Sequence, residues 1–365
     1  MQGPTTLMGF LESAGFKVRV YDLGRRIEKI SRRNFEQFEQ QEIVYPFPLQ
    51  QQAWLALSLH QSLHQNHSQA QKQNNNIEPV IWFLRFPLDE TGKLVLASRD
   101  YFLHRLLEAS VTKGNGENGG NDQTVSEAAL KDNPHVFKPR EDKMAIFHAI
   151  LTHSLKAPAS RFYPHAIEYF SGSQGWDQWN FVGFQGIADL SVRCREDHNE
   201  QLIGNAIAHI PAQPLEALCQ CLENVEIPLI ITTALDQRLQ QELATANPNT
   251  SLISFICRAV SLSESKTVVN NLLQRVLTSA VASQPDILSA VAARNWQRLS
   301  EQPHAQLYLD ALASADQETF NTCLADLLYL PGIRNNLLAV IRDPQRPNRL
   351  REKFGHFMQG FTRRD

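Results

Sequence analysis

The feature that most constrains this chain is a series of paired amphipathic segments between about Trp176 and Asp343. Apolar residues recur at helical spacing within each segment, and prolines or serine-rich turns separate neighbouring segments. New pairs begin about every 35 residues, an interval typical of helical repeats that stack on one another to bury their apolar faces. The starting residues are Asp177, Pro211, Asn249, Gln284 and Asp316. This pattern predicts an all-α, HEAT-like array, and the alternative is a non-repetitive helical bundle.

Helical patterns also flank the array on both sides. Residues 142–154 and 162–170 predict a helical pair ahead of it. In the tail, apolar residues at helical spacing predict a closing helix that caps the stack; they are Leu350, Phe354, Phe357 and Phe361. Four aromatics at the start of the array are predicted to form the core of its first unit: Trp176, Trp179, Phe181 and Phe184.

The N-terminal part follows a different pattern, in which helices and alternating strands are joined by short turns. The predicted strands lie at Phe16–Tyr21, Arg26–Ile30, Gln50–Leu57, Pro79–Phe86 and Lys93–Ala97. Thr5 or Thr6, Ser31 and Ser98 are predicted helix caps. Hairpin-length connections favour an α+β domain at residues 1–110 on a mainly antiparallel sheet of about five strands.

Two polar segments interrupt these patterns, and neither contains enough apolar residues to offset the entropy of ordering it. Residues 61–78 are rich in Gln, Asn and His and predict a disordered loop. Residues 111–133 are rich in Gly, Asn and Glu and predict a flexible linker. The array domain is then residues 134–365, and the chain is predominantly α overall.

Composition restricts the partners and the cellular location that this chain can have. The net charge of −3 argues against binding nucleic acid over the whole surface. Five irregularly spaced cysteines suit neither a disulfide framework nor a zinc site. No run of apolar residues is long enough to cross a bilayer, and no signal-peptide pattern begins the chain. We therefore expect a cytoplasmic protein with no membrane contact.

A search for catalytic motifs finds no phosphate-binding glycine loop, paired-histidine zinc helix or nucleophile elbow. Two histidine groups could in principle bind a metal or exchange protons. One group is His60, His64 and His67; the other combines His148, His153 and His165 with Glu141, Asp142 and Glu168. We interpret both as loop or surface residues, and predict no catalytic residue, cofactor or metal.

Charge is unevenly distributed in the first 35 residues. The stretch Lys17–Arg33 contains seven basic residues and two acidic ones. On a sheet face such a patch could contact phosphates, with Tyr21 available for stacking. The candidate binding residues are Arg19, Arg25, Arg26, Lys29, Arg32 and Arg33. The alternative is a solvated strand face with scattered ion pairs.

Four strings carry a family resemblance: YDLGRR at 21–26, YPFPLQQQAW at 45–54, WFLRFPLD at 82–89 and GFQGIAD at 183–189. With them the chain resembles an uncharacterised proteobacterial family known as a domain of unknown function, over nearly its whole length. The resemblance implies no activity, cofactor or catalytic residue. The two polar segments look longer than the family pattern requires.

These observations together predict a non-enzymatic interaction scaffold or adaptor whose helical array binds a protein partner, because a stack of helix pairs offers an extended surface. A nucleic-acid or ribonucleoprotein binder that uses residues 17–33 is the second hypothesis. An enzyme with a site at the domain junction is the third.

Overall fold

The computed structural model describes residues 6–61, 79–114 and 130–362. The disordered loop predicted at 61–78 therefore lies almost entirely outside the described residues, as does most of the linker predicted at 111–133. Contacts between Cα atoms divide the chain into two compact units, Met1–Pro139 and Arg140–Asp365.

The first unit begins with alternating helices and strands: α1 (Leu7–Ser13), β1 (Phe16–Asp22), β2 (Glu28–Ile30), α2 (Arg32–Glu39), β3 (Gln52–Gln61), β4 (Val80–Pro87) and α3 (Leu96–Gly114). Local chemistry sets two of the helix starts. The Thr6 hydroxyl accepts a hydrogen bond from the backbone N–H of Gly9, and the Ser31 hydroxyl accepts one from Asn34. Both are predicted caps that satisfy N–H groups left open in the first turn.

The four strands form one antiparallel sheet in the order β2-β1-β3-β4. Buried and half-buried side chains alternate along β4, whereas all residues of β3 from Leu55 to Leu59 are buried. Aromatic rings of the helices cover the inward face of the sheet. Phe102 of α3, for example, meets Trp82 and Phe86 edge-on at centroid distances of 6.0 and 5.9 Å. The prediction of a mainly antiparallel α+β unit is confirmed.

The fifth strand predicted at Lys93–Ala97 is wrong. Gly92 adopts a left-handed φ of 87°, and beyond it Leu94 makes a single isolated bridge with Leu88. Helix α3 then begins at Leu96, so the cap predicted at Ser98 is wrong as well. A different segment lies along the outer edge of β4, where Val136 forms a bridge with Leu84.

The described part of the second unit is helical: α4 (Glu141–Ser154), α5 (Tyr163–Phe170), α6 (Phe184–Val192), α7 (Asn199–Ile207), α8 (Ala212–Leu222), α9 (Leu229–Leu243), α10 (Thr250–Ala259), α11 (Lys266–Leu277), α12 (Pro285–Arg294), α13 (Gln302–Ala313), α14 (Gln317–Leu328), α15 (Arg334–Arg342) and α16 (Asn348–Thr362). Four predicted pair starts are the N-cap residues of α8, α10, α12 and α14, namely Pro211, Asn249, Gln284 and Asp316.

These helices stack in two rows. One row runs α4, α6, α8, α10, α12, α14 and α16, and the other runs α5, α7, α9, α11, α13 and α15, with each helix packed on the next member of its row. Leu350 and Phe357 of α16 are buried at the end of the first row, against α14. The predicted array and its closing helix are thus present, while the HEAT-like identity of the units stays a prediction.

Candidate functional site

The structure divides the predicted basic segment. Arg25 and Arg26 are buried, at 0% and 2% exposure, and the Arg25 Nε donates to the Pro48 carbonyl at 2.8 Å. A phosphate contact requires an accessible guanidinium, so the assignment of these two residues to an exposed cationic face is wrong. Tyr21 is also buried, at 2% exposure, and is not available for stacking.

The other four candidates lie on different elements. Arg19 is half-buried on β1 and Lys29 is exposed on β2, whereas Arg32 and Arg33 are exposed on α2. Arg32 is already held by two ion pairs of 2.8 Å, with carboxylates of α1 and α2. The six predicted residues therefore do not form one surface.

Arg25 turns inward because two of the family-like strings meet in a buried polar cluster. The Tyr45 hydroxyl donates to Oδ1 of the fully buried Asp22 at 2.7 Å. Burial raises the pKa of Tyr45 well above its ordinary value, and the neighbouring Asp22 carboxylate raises it further. The cluster anchors the 45–54 segment to the end of β1, which is a structural role.

A third string joins the same region through β4. The Arg85 guanidinium lies over the half-buried Trp54 ring, 5.2 Å from its centroid. Phe137 meets that ring edge-on at 4.9 Å. Trp82, by contrast, points into the core with 4% exposure. Trp82 is therefore a core residue, whereas Trp54 is only half-buried.

The second unit carries a partly exposed aromatic surface formed by residues that the sequence pattern assigns to its core. None of Trp176, Trp179, Phe181 and Phe184 is buried, and Phe181 is 81% exposed. Trp176, Trp179 and Phe181 lie in the connection between α5 and α6, and Phe184 is the first residue of α6. Trp176 stacks flat on His209 at 5.5 Å. The predicted aromatic core is therefore wrong.

Phe162 extends this surface from the connection between α4 and α5. Its ring is 39% exposed and lies under the Arg161 guanidinium, which is 5.0 Å from the ring centroid. Gly183 also lies against the ring, since a Cβ there would be 3.5 Å from the Phe162 Cδ1. We call Arg161, Phe162, Trp179 and Phe181 the aromatic patch.

A buried ion pair fixes the segment that leads into Phe162. Asp189 of α6 and the C-cap residue Arg193 are joined at 3.0 Å, and the Asp189 Oδ2 accepts a hydrogen bond of 3.1 Å from the Ser160 backbone N–H. The absence of a side chain at Gly186 lets the helix approach Phe162, whose carbonyl oxygen would overlap any Cβ there. The fourth family-like string, residues 183–189, thus fixes the backbone that presents Phe162.

A charged cluster links helices of the first row. Glu223 accepts hydrogen bonds from Arg258 Nε at 2.5 Å and Arg294 Nη2 at 3.0 Å. Burial acts to raise the pKa of Glu223, but Arg294 and Arg258 outweigh it and hold the pKa below its ordinary value. The cluster stabilises the stack.

Among the described residues, the second histidine group does not come together as a site. His148, His153 and His165 are exposed, and the partner of His153 is Glu196, at 2.8 Å. His60 lies on β3, and the rest of its group lies outside the described residues. Across the described ranges, no cluster of three or more His, Cys, Asp or Glu residues could hold a metal ion. In the same ranges no helix has the length and apolarity to cross a membrane.

Sequence reasoning missed Arg161 and Phe162. The available signal was the pair of prolines on either side, Pro158 and Pro164, which keep this short segment out of a continuous helix.

Comparison with known proteins gives one match. A family model described as "Protein of unknown function (DUF3549)" matches residues 4–358. No curated protein and no solved structure matches the chain. Because the model covers nearly the whole sequence, the chain belongs to the DUF3549 family.

Proposed function

We propose that this protein is a non-enzymatic scaffold of the bacterial cytoplasm, and that its helical array binds a protein partner through the aromatic patch. The observation that carries the proposal is Phe181, a large apolar side chain with 81% exposure, two residues before Gly183, which lies against the exposed Phe162. Contiguous exposed apolar surface is characteristic of interaction sites, and aromatic and arginine side chains contribute most to binding there.

The rigid backing of the patch supports the same role. The buried pair Asp189 and Arg193 fixes the segment that carries Phe162 before any partner arrives. A preorganised contact loses less conformational entropy on binding than a mobile one. A reducing cytoplasm suits the five cysteines, all of which are buried free thiols.

Site-specific photo-crosslinking in cells of the native host tests the proposal. A benzoylphenylalanine at position 181 should yield a discrete protein adduct that survives nuclease treatment. Phe162→Ala in the same chain should reduce the yield about tenfold or more, the effect of removing a central aromatic contact. The probe at position 358 on α16, where Met358 is 50% exposed, serves as the matched control.

The outcomes separate the hypotheses. Equal adducts at positions 181 and 358 would show non-specific contact and refute the patch. Adducts that disappear with nuclease would point to a nucleic-acid complex instead. Phe181→Ala should leave the urea unfolding midpoint nearly unchanged, because an exposed ring contributes little to folding.

A further inference from the structure

The sheet of the first unit has a second face whose charge differs from that of the chain as a whole. Residues directly opposite one another on antiparallel strands share a face, and positions two apart along a strand return to it. The register gives the pairs Lys17 with His60, Arg19 with Ser58, Lys29 with Tyr21 and Arg85 with Trp54. Four cations from three strands therefore share one face.

No carboxylate lies on this face within the four described strands. The acidic residues of the strands, Asp22 and Glu28, alternate onto the helix-covered side with Val20 and Ile30. Lys17 and Lys29 are exposed, whereas Arg19 and His60 are half-buried. We call Lys17, Arg19, Lys29 and Arg85 the cationic sheet face.

His60 responds to this concentration of charge. Burial lowers the pKa of His60 first, and the nearby Arg19 and Lys17 lower it further by repelling a third positive charge. The positive charges of Lys17 and Arg19 on β1 therefore act on the neighbouring strand, β3.

We propose that the cationic sheet face binds single-stranded nucleic acid through its phosphates, without sequence preference. Lys17 and Arg19 are about 7 Å apart along β1, and Lys29 lies on the adjacent strand. Such a spread suits an extended chain with one negative charge per nucleotide. At the far end, Arg85 over the half-buried Trp54 places a cation beside an aromatic ring, a combination that single-strand binding proteins use.

The inference uses different residues from the aromatic patch and goes beyond the scaffold role. The cationic sheet face also differs from the basic segment at residues 17–33. It excludes Arg25, Arg26, Arg32 and Arg33, and it includes Arg85. A charge-matched pair of variants can therefore separate the two. Lys17→Gln with Lys29→Gln removes two charges from the sheet face, and Arg32→Gln with Arg33→Gln removes two from α2.

The measurement is fluorescence anisotropy of a labelled twelve-nucleotide oligouridylate, and of the DNA oligothymidylate of equal length, with the full chain across a salt series. Each phosphate contact contributes about 0.7 to the log–log salt slope on a single strand. Loss of both lysines should therefore lower the slope by about 1.4 and weaken binding about 25-fold at 0.1 M salt. The α2 variant should stay within about twofold of wild type.

Three results would overturn the proposal: no wild-type binding at low salt, equal losses in the two double variants, or displacement by oligoglutamate as effective as by unlabelled oligonucleotide. The last result would assign the face to an acidic protein segment. Both double variants should keep the wild-type urea unfolding midpoint, since exposed charges contribute little to folding.

Discussion

Close packing restricts which residue can occupy certain positions in this protein. Two glycines show that the restriction depends on whether the neighbouring atoms can move. Gly186 faces the Phe162 backbone carbonyl, which cannot move without shifting the chain. Gly204 faces the Ile230 Cγ2 at 2.8 Å, the end of a side chain that is 44% exposed. Both glycines lie inside helices, α6 and α7.

Gly186→Ala should therefore destabilise the second unit by about 1–3 kcal/mol, the cost of forcing extra atoms into a packed contact. Gly204→Ala should be neutral or stabilise by up to about 1 kcal/mol, because alanine favours the helix and Ile230 can rotate away. Urea unfolding followed by circular dichroism measures both. Equal destabilisation by the two substitutions would contradict this account.

The buried hydroxyl of Tyr45 gives a second expectation at this scale. Tyr45→Phe removes the donor to Asp22 and leaves a buried carboxylate with one hydrogen bond fewer. The expected loss is about 1–3 kcal/mol in the free energy of unfolding. Tyr101→Phe is the control, since Tyr101 is 45% exposed and should lose almost nothing. If Tyr45→Phe unfolded with the same free energy as wild type, the hydrogen bond to Asp22 would not anchor the 45–54 segment.

At the scale of elements, the helices of the array are joined by charge as well as by apolar packing. Glu223 follows α8, Arg258 lies in the last turn of α10 and Arg294 ends α12. Because the carboxylate is buried and holds both guanidinium groups, removing its charge leaves two cations without their shared anion.

Glu223→Gln should cost about 2–3 kcal/mol at pH 7, less than for a fully buried pair because Arg258 is 24% exposed. The folded-state pKa of Glu223 lies below its ordinary value of 4.5, so its stabilisation is present above pH 4.5 and is lost as pH falls through the folded pKa. Urea titrations should show that the difference in the free energy of unfolding between wild type and variant is smaller below pH 4 than at pH 7.

Glu264→Gln is the matched control for that experiment, since Glu264 is an exposed partner of Arg195. Its unfolding midpoint should change much less than that of Glu223→Gln. If the difference in unfolding free energy between wild type and Glu223→Gln were larger at acid pH, Glu223 would have to be protonated in the folded protein.

The elements that could be predicted from sequence are those set by local chemistry. Asn249 and Asp316 cap helices with their own side chains, so their helices begin where the pattern indicated. The burial of Arg25 could not be predicted, because it depends on the carbonyl of Pro48 arriving from 23 residues away. Nor could the exposure of Phe181, since an aromatic run indicates a core whenever its packing partners are unknown.

At the scale of the whole molecule, the contact pattern predicts that the second unit is a folding unit in its own right. A chain of residues 140–365 should unfold in one cooperative urea transition, with a midpoint close to that of the same unit in the full protein. Circular dichroism on the isolated and full chains provides the comparison. A broad, non-cooperative transition in the isolated array would show that the first unit is needed for its stability.

The ion pairs of Glu223 also restrict how the number of helical pairs in the array can change. Its two partners belong to the next two helical pairs, so one carboxylate fixes the spacing of three consecutive pairs. Repeat proteins with contacts limited to adjacent units can gain or lose a unit by tandem duplication or deletion. Here, a pair inserted between α9 and α12 would carry Arg294 out of range of Glu223. We expect this stretch to tolerate substitutions on its surface but not a change in its number of pairs.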